Sequence, residues 1–339
     1  MTQIADRPHL DPATLPLVVQ GYRLSQGLYV LAALRIPDML EAGPKDAAEL
    51  AKGSGAHPDR LRRVMRALAA EGVIDEDDEG RFAQTEFSRQ IAGDTEERLM
   101  ILGWRILPES YGAFGGLLHA VSTGETAFDH TYGAPFYSYL RDHPMAAQAY
   151  ETAMESTISG FDDIIDTYDF SGVASLVDVG GGQGAFIIGL LRRYPSMRCT
   201  LFDQPEVVAG AARRLAAAGV VDRVKVVGGD AIVEVPAGAD AYCTCTVLRC
   251  FEDDGCLRIL RNIRAAMAPG SRLVAIEPEI PAGPARRPSS MLDLHAMVVY
   301  GGRDRTANEY RTLYRQAGLE LVDATPIGGP YSAFEGRPS

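Results

Sequence analysis

The sequence predicts an α/β protein: a doubly wound, mostly parallel sheet preceded by an all-α winged-helix unit. Three observations carry this. A glycine-rich turn, SLVDVGGGQGAF, stands between an apolar run and a helical one. After it, apolar runs alternate with amphipathic stretches to the end of the chain. From Asp46 through Ser88 the pattern is helix, helix and hairpin.

In the front part, apolar residues recur at helical spacing from Leu15 to Met39 (Leu17, Val18, Tyr22, Leu24, Leu28, Leu31, Leu34). They fall on more than one face, which suits a helix covered by other helices or by a second subunit. Asp46 and His57-Pro58-Asp59 mark two helix starts and Gly72 a stop. VIDEDDEGRFAQTEFS then reads as a hairpin turning at Asp77–Gly80. Such a unit suggests DNA binding, supported by Arg60, Arg62, Arg63 and Arg66. Against it, the wing carries five acids from Asp75 to Glu79, and phosphate repels them. The expectation is packing and dimerisation.

From Glu96 to Thr167 the chain is helical and rich in aromatics: Trp104, Tyr111, Phe114, Phe128, Tyr132, Phe136, Tyr137 and Tyr139. Most are expected in the core, yet such a segment beside a cofactor domain is also the material of a small-molecule pocket. AFDHTYGAPFYSYLRDHP is expected to be a loop followed by a short helix. The domains divide at 1–105 and 106–339.

The second domain opens at Ser175 with the strand and turn already quoted. Gly180, Gly182 and Gly184 let the backbone turn tightly and approach a ligand. TLFDQP ends a second strand at Asp203, nineteen residues after Gly184, placed for ribose hydroxyls. VKVVGGD is a third strand ending at Asp230 and DAYCTCTVL a fourth. LRILRNIRAAMAPG is a helix, RLVAIEPEI a fifth strand, and the tail from Gly318 a closing strand pair. A nicotinamide dinucleotide prefers G-x-G-x-x-G; here the spacing is G-G-G-x-G, with Asp178 two residues ahead. That acid repels a pyrophosphate and suits a cationic ligand. S-adenosylmethionine, with its ammonium and sulfonium, is therefore the expected cofactor.

At this point the chain resembles the class I S-adenosylmethionine methyltransferases, and within them the small-molecule O-methyltransferases of plants and actinobacteria. The resemblance runs through TGETAFDHTYGAPFYSYL, YDFSGVASLVDVGGGQGAF, VVGGD, VLRCFEDDGCLRILRNIRAAM and YGGRDRTANEY. It implies a Rossmann-like catalytic domain with a winged-helix dimerisation domain, an intertwined homodimer, and a small secondary metabolite as acceptor. It places Gly180 and Gly182 at the methionine moiety, Asp203 at the ribose, and Asp230 with Ala231 at the adenine; Asp178, on its charge, and Gln204 are further cofactor-binding candidates. Where the family reads K-H-V-L-H-D-W, this chain reads Cys245-Thr246-Val247-Leu248-Arg249-Cys250-Phe251. Cys245 replaces a cofactor-side lysine, Arg249 the histidine that deprotonates the acceptor, and Cys250 the acid after it. Glu277 matches the acid that orients that histidine.

Arginine stays protonated, with a pKa above about 12, and is no general base. Three routes remain open. Methylation can proceed by proximity on an acceptor already ionised, or Arg249 can stabilise negative charge on the acceptor, including in C-methylation of an acidic substrate. The scaffold can also catalyse a non-methylating, hydroxylase-like or pericyclase-like reaction. Arg249 opposite Glu277 equally predicts a structural ion pair. His295, in the helix expected to line the acceptor pocket, is either a replacement base or a packed core residue; His119 and His130 are weaker candidates.

The remaining calls follow from composition. Four of the five cysteines, spaced C-x-C-x4-C-x5-C from Cys243 to Cys256, lack the paired knuckles of structural zinc, and Glu277 with His295 is too small a set, so no metal is expected. An odd number of thiols suits a reducing compartment. A net charge of −12 disfavours nucleic acid and anionic membrane. The opening residues lack a secretory leader and no run spans a bilayer, so a cytoplasmic protein is expected.

Overall fold

A computed structural model describes residues 10–95, 97–98, 101–102, 108–158, 161–281 and 287–339. Trp104, the 105/106 boundary and the first nine residues, on which the leader expectation rests, lie outside them. The chain divides into two compact units, residues 1–107 with 149–153 and residues 108–148 with 154–339.

In the first unit the helix Leu15–Ala33 buries only Leu31 and Ala32, while Leu15, Leu17, Val18, Val19 and Tyr22 stay exposed on the isolated chain. Asp46 starts the helix Ala47–Ser54 with a reciprocal cap. Its Oδ1 accepts from the Ala48 and Glu49 amides at 2.8 Å, and Glu49 Oε2 accepts from the Asp46 amide at 3.0 Å. The helix Pro58–Ala70 buries Leu61, Met65 and Leu68 at spacings of four and three, leaving Arg60, Arg62, Arg63 and Arg66 in solvent. Strands β1 (Ile74–Glu76) and β2 (Phe82–Gln84) pair antiparallel, as the hairpin pattern predicts. Asp77 holds the turn, its Oδ1 accepting from the Glu79 and Arg81 amides. Leu31, Leu50, Met65, Ile74 and Phe82 share this unit's core.

In the second unit β3 (Ser175–Val179), β4 (Arg198–Asp203), β5 (Val224–Gly228), β6 (Ala241–Cys245) and β7 (Arg272–Pro278) run parallel. With β8 (Leu319–Gly328) and β9 (Tyr331–Pro338) they form one sheet in the order β5-β4-β3-β6-β7-β9-β8. β9 lies antiparallel between β7 and β8. Both faces are buried, which is why these strands read as continuous apolar runs. Leu176, Leu201, Cys243 and Ile276 face the helix Ala185–Arg193. Val177, Val179, Tyr242 and Ala275 face Ile259, Ile263, Tyr310 and Tyr314.

The structure moves three sequence boundaries. β5 ends at Gly228, two residues before Asp230. β6 ends at Cys245 rather than Leu248, because Thr246 takes φ 55° and turns the chain out of the sheet into a 3-10 turn, Leu248–Cys250. Residues 127–132 are helical rather than a loop, and Gly133, at φ 74°, ends that helix before the next, Phe136–Asp142.

Removing the first unit's reciprocal cap by Asp46→Ala should cost about 1 kcal/mol of stability. Urea unfolding of the whole protein should show this as a lower midpoint at unchanged slope.

Candidate active site

Asp178 sits one residue before the end of β3, its backbone held between β4 and β6. Its side chain is fully buried, and neither carboxylate oxygen has a hydrogen-bond partner among the described residues. Burial, with the charge of Asp203 adding to it, pushes its pKa up to about 7. A Cβ on Gly181 would stand 2.4 Å from Asp178 Oδ2, so only glycine leaves that carboxylate room. Gly180 and Gly182 have φ of 75° and 60°, conformations that L side chains avoid. Next to them Asp203, the last residue of β4, accepts from the Gly182 amide at 2.8 Å and the Gln204 amide at 2.7 Å. Burial also raises its pKa.

Asp178, Gly180, Gly182, Asp203 and Gln204 thus meet at the carboxyl ends of β3 and β4, beside the point where the strand order reverses. Asp230 and Ala231 follow β5. Asp230 Oδ1 accepts from the Ile232 amide at 2.8 Å, and the Ala231 carbonyl accepts from Asn262 Nδ2 at 2.8 Å. Cys245 ends β6 half-buried, its thiol pushed up by burial.

An orphaned buried carboxylate beside glycines that admit a close backbone approach fits a ligand bringing its own positive charge. S-adenosylmethionine meets that demand with an ammonium and a sulfonium. A pyrophosphate does not.

The turn after β6 is gripped from three sides. Glu277, fully buried on β7, accepts from the Val247, Leu248 and Arg249 amides at 3.0, 2.8 and 3.3 Å. Burial pushes it up to about 7, the Leu248 amide opposing. Arg305, fully buried, donates to the Leu248 and Phe251 carbonyls at 3.2 and 2.8 Å and to Asp253 Oδ1 at 2.9 Å. Arg249 itself is 2% exposed, and its partner is Asp304. Nε donates to Asp304 Oδ1 at 2.7 Å, and Nη2 to Oδ2 at 3.0 Å and to the Leu292 carbonyl at 2.8 Å. Burial acts to lower the Arg249 pKa, but Asp304 outweighs it and holds the guanidinium charged. The expected Arg249–Glu277 ion pair is therefore replaced: Glu277 fixes the backbone of the turn, and Asp304 takes the side chain.

Asp304 reaches Arg249 because Gly302 lets two backbones nearly touch; a Cβ there would meet the Arg249 carbonyl oxygen at 2.2 Å. In the sequence, YGGRDRT marks this close approach only by its glycine pair; nothing in residue type assigns Gly302, Asp304 or Arg305 a role.

His295 ends the helix Arg287–His295, 8% exposed, with Phe114 and Tyr300 rings at 6.3 and 5.6 Å between centroids. It leads into a π-helical turn, Ala296–Tyr300, a deformation frequent at functional sites. Tyr300 stacks on Tyr137 at 5.9 Å, and Tyr137 Oη lies 3.2 Å from Cys250 Sγ. Aromatics of the 108–142 segment thus join Cys250 and His295. His119 and His130 instead stack on each other at 3.7 Å, with His119 bonded to Glu125. No group of three or more metal-ligating side chains occurs among the described residues. A depression of about 310 Å³ at the opposite, amino-terminal end of the strands, lined by Arg198, Arg223 and Lys225, contains none of these groups.

Two family models match the chain, an O-methyltransferase dimerisation domain over residues 17–93 and an O-methyltransferase domain over residues 114–320. A phenazine O-methyltransferase of Lysobacter antibioticus is 37% identical over 95% of this chain and 94% of its own. The aclacinomycin 10-hydroxylase of Streptomyces purpurascens is 32% identical over 91% of this chain and 84% of its own. Among solved structures, an O-methyltransferase from neocarzinostatin biosynthesis, in complex with S-adenosylmethionine and 2-hydroxy-5-methyl naphthoic acid, superposes with a TM-score of 0.87 at 30% identity. That match covers 98% of this chain and all of that one.

A carboxylate near pKa 7 that must be ionised to hold a cation makes binding proton-linked. S-adenosylhomocysteine, which keeps the ammonium, should bind about tenfold more tightly at pH 8 than at pH 6 by calorimetry, and Asp178→Asn should flatten that dependence. The sign for stability is opposite. An acid whose folded pKa is raised costs stability as pH climbs from about 4 through 7, so Asp178→Asn should raise the melting temperature of the ligand-free protein at pH 8.

Proposed function

The chain belongs to the O-methyltransferase family and is an S-adenosylmethionine-dependent enzyme; from that premise we propose that it methylates a hydroxyl on a flat, aromatic small-molecule acceptor without a protein base at position 249. The observation that carries the proposal is the Arg249–Asp304 pair. It stands where the family keeps its histidine, and its guanidinium is held charged against a carboxylate, so it takes no proton.

The acceptor's proton then goes to solvent before the chemical step. An acidic acceptor is already an anion near neutral pH, and its oxygen lone pair displaces the methyl carbon from sulfur, leaving neutral S-adenosylhomocysteine. S-adenosylmethionine supplies a methyl group on a positively charged leaving sulfur. The protein's part is to hold the two reactants aligned in a water-poor site, an effect worth about 7–11 kcal/mol when orientation is good. Asp178, Gly180 and Gly182 would hold the methionine end, Asp203 and Gln204 the ribose, Asp230 and Ala231 the adenine, and Cys245 would flank the cofactor. Tyr137 and Tyr300 would face the acceptor, and His295 would shape that wall or, on an acceptor too weakly acidic to ionise alone, accept its proton. Arg249 acts through its bonds to Asp304 and Leu292, with Glu277 fixing the turn beneath it. The exposed apolar face of Leu15–Ala33 supports a homodimer, and the matched dimerisation model adds weight. No helix among the described residues is long and apolar enough to cross a membrane, and a cytoplasmic setting suits the thiols.

Incubation with S-adenosylmethionine and 2-hydroxy-1,4-naphthoquinone, an acidic hydroxyarene, should release methylated product and S-adenosylhomocysteine in equal amounts by mass spectrometry. 2-Naphthol, a much weaker acid, should react at least about tenfold more slowly. A second reading, a reaction that transfers no methyl group, is favoured by the same Arg249 and by the likeness to a hydroxylase. It predicts product without equimolar S-adenosylhomocysteine.

A further inference from the structure

The turn from Thr246 to Phe251 touches both halves of the site. Toward the cofactor loop, Val247 packs so closely on Gly180 that a Cβ there would lie 2.6 Å from a Val247 methyl. Toward the aromatic wall, Arg249 Nη2 donates to the Leu292 carbonyl at 2.8 Å, one turn before the π-helical Ala296–Tyr300. Between these contacts the turn starts at Thr246, a β-branched residue at φ 55°, a conformation that persists only where the surroundings enforce it. Glu277 and Arg305 supply that enforcement through the turn's amides and carbonyls, while the Arg249 side chain is held by Asp304. Its two oxygens fix the plane of the Arg249 guanidinium, which is what aims Nη2 at Leu292. Asp304 is itself tied to the helix, its amide donating to Asp293 Oδ1 at 2.9 Å.

From this we propose that Asp304 is a positioning residue: through Arg249 it couples the cofactor loop to the 292–300 wall, so that filling the cofactor site orders the wall. The proposal deepens the methyltransferase reading and rests on it. Closing the cofactor loop presses on Val247, and the rigid turn carries that constraint to Leu292 by one directional bond. An ion pair kept only for stability would make no such link. A buried pair of this kind can be exchanged for apolar side chains of similar volume with stability retained.

That difference supplies the test, read with S-adenosylhomocysteine and no acceptor. In the wild type the ligand should slow amide hydrogen exchange in peptides spanning 292–300 by about threefold or more. In the double variant Arg249→Met with Asp304→Leu, melting temperature and calorimetric affinity should stay close to wild type while that protection disappears. Arg249→Lys, which keeps a charge opposite Asp304 but not the fork, should lose most of it. Protection that survives in the double variant, or is missing from a wild type that binds the ligand, overturns the coupling. A wild type that fails to bind S-adenosylhomocysteine in calorimetry overturns the methyltransferase reading, and the coupling with it.

Discussion

A guanidinium and a carboxylate withdrawn from water each lose several kcal/mol of hydration, and a buried pair recovers that only with good geometry. Arg249 and Asp304 meet the requirement with two parallel bonds of 2.7 and 3.0 Å. The rest of the site depends on this pair. Losing either partner would strand a charge in the core, a loss of about 3–5 kcal/mol. The turn between β6 and the following helix is built around keeping them together: Glu277 takes its amides, Arg305 its carbonyls, and Gly302 removes the side chain that would hold Asp304 away.

On the cofactor side the logic is inverted. Asp178 has no hydrogen-bond partner among the described residues, an unfavourable state that a cationic ligand would relieve. The two acids are treated oppositely: Asp304, in the loop after the π-helical turn, is paired by the chain with Arg249, while Asp178, on β3, is left for charge from outside. On the proposed reading, Arg249 makes a fixed structural position of one where the family resemblance implies a base, and the chemistry would be left to alignment and to the acceptor's own acidity.

Much of this was legible in the sequence, for physical reasons. A parallel sheet buried on both faces must be written as apolar runs, and the G-G-G-x-G turn with Asp178 and Asp203 marks the strand ends where ligands bind. That Arg249 is no base was plain from residue type, while the base it would replace comes from the family resemblance alone. The partner of Arg249 was not plain, because Asp304 is 55 residues away and the contact exists only through the close approach at Gly302. By position Glu277 matches the acid expected to face residue 249. Its carboxylate is instead occupied by backbone amides, bonds that leave no trace in residue type. The early end of β6 depends on one strained torsion at Thr246, which β propensity alone opposes.

The claim that no protein group at position 249 takes the acceptor's proton is tested most directly by pH–rate profiles for two acceptors whose hydroxyls differ in acidity by about two pKa units. With transfer to an already ionised acceptor, the inflection in kcat/KM moves with the acceptor, rising by about the same two units for the weaker acid. An inflection fixed at one pH for both acceptors, at saturating S-adenosylmethionine and in His295→Ala as well as the wild type, would contradict the account.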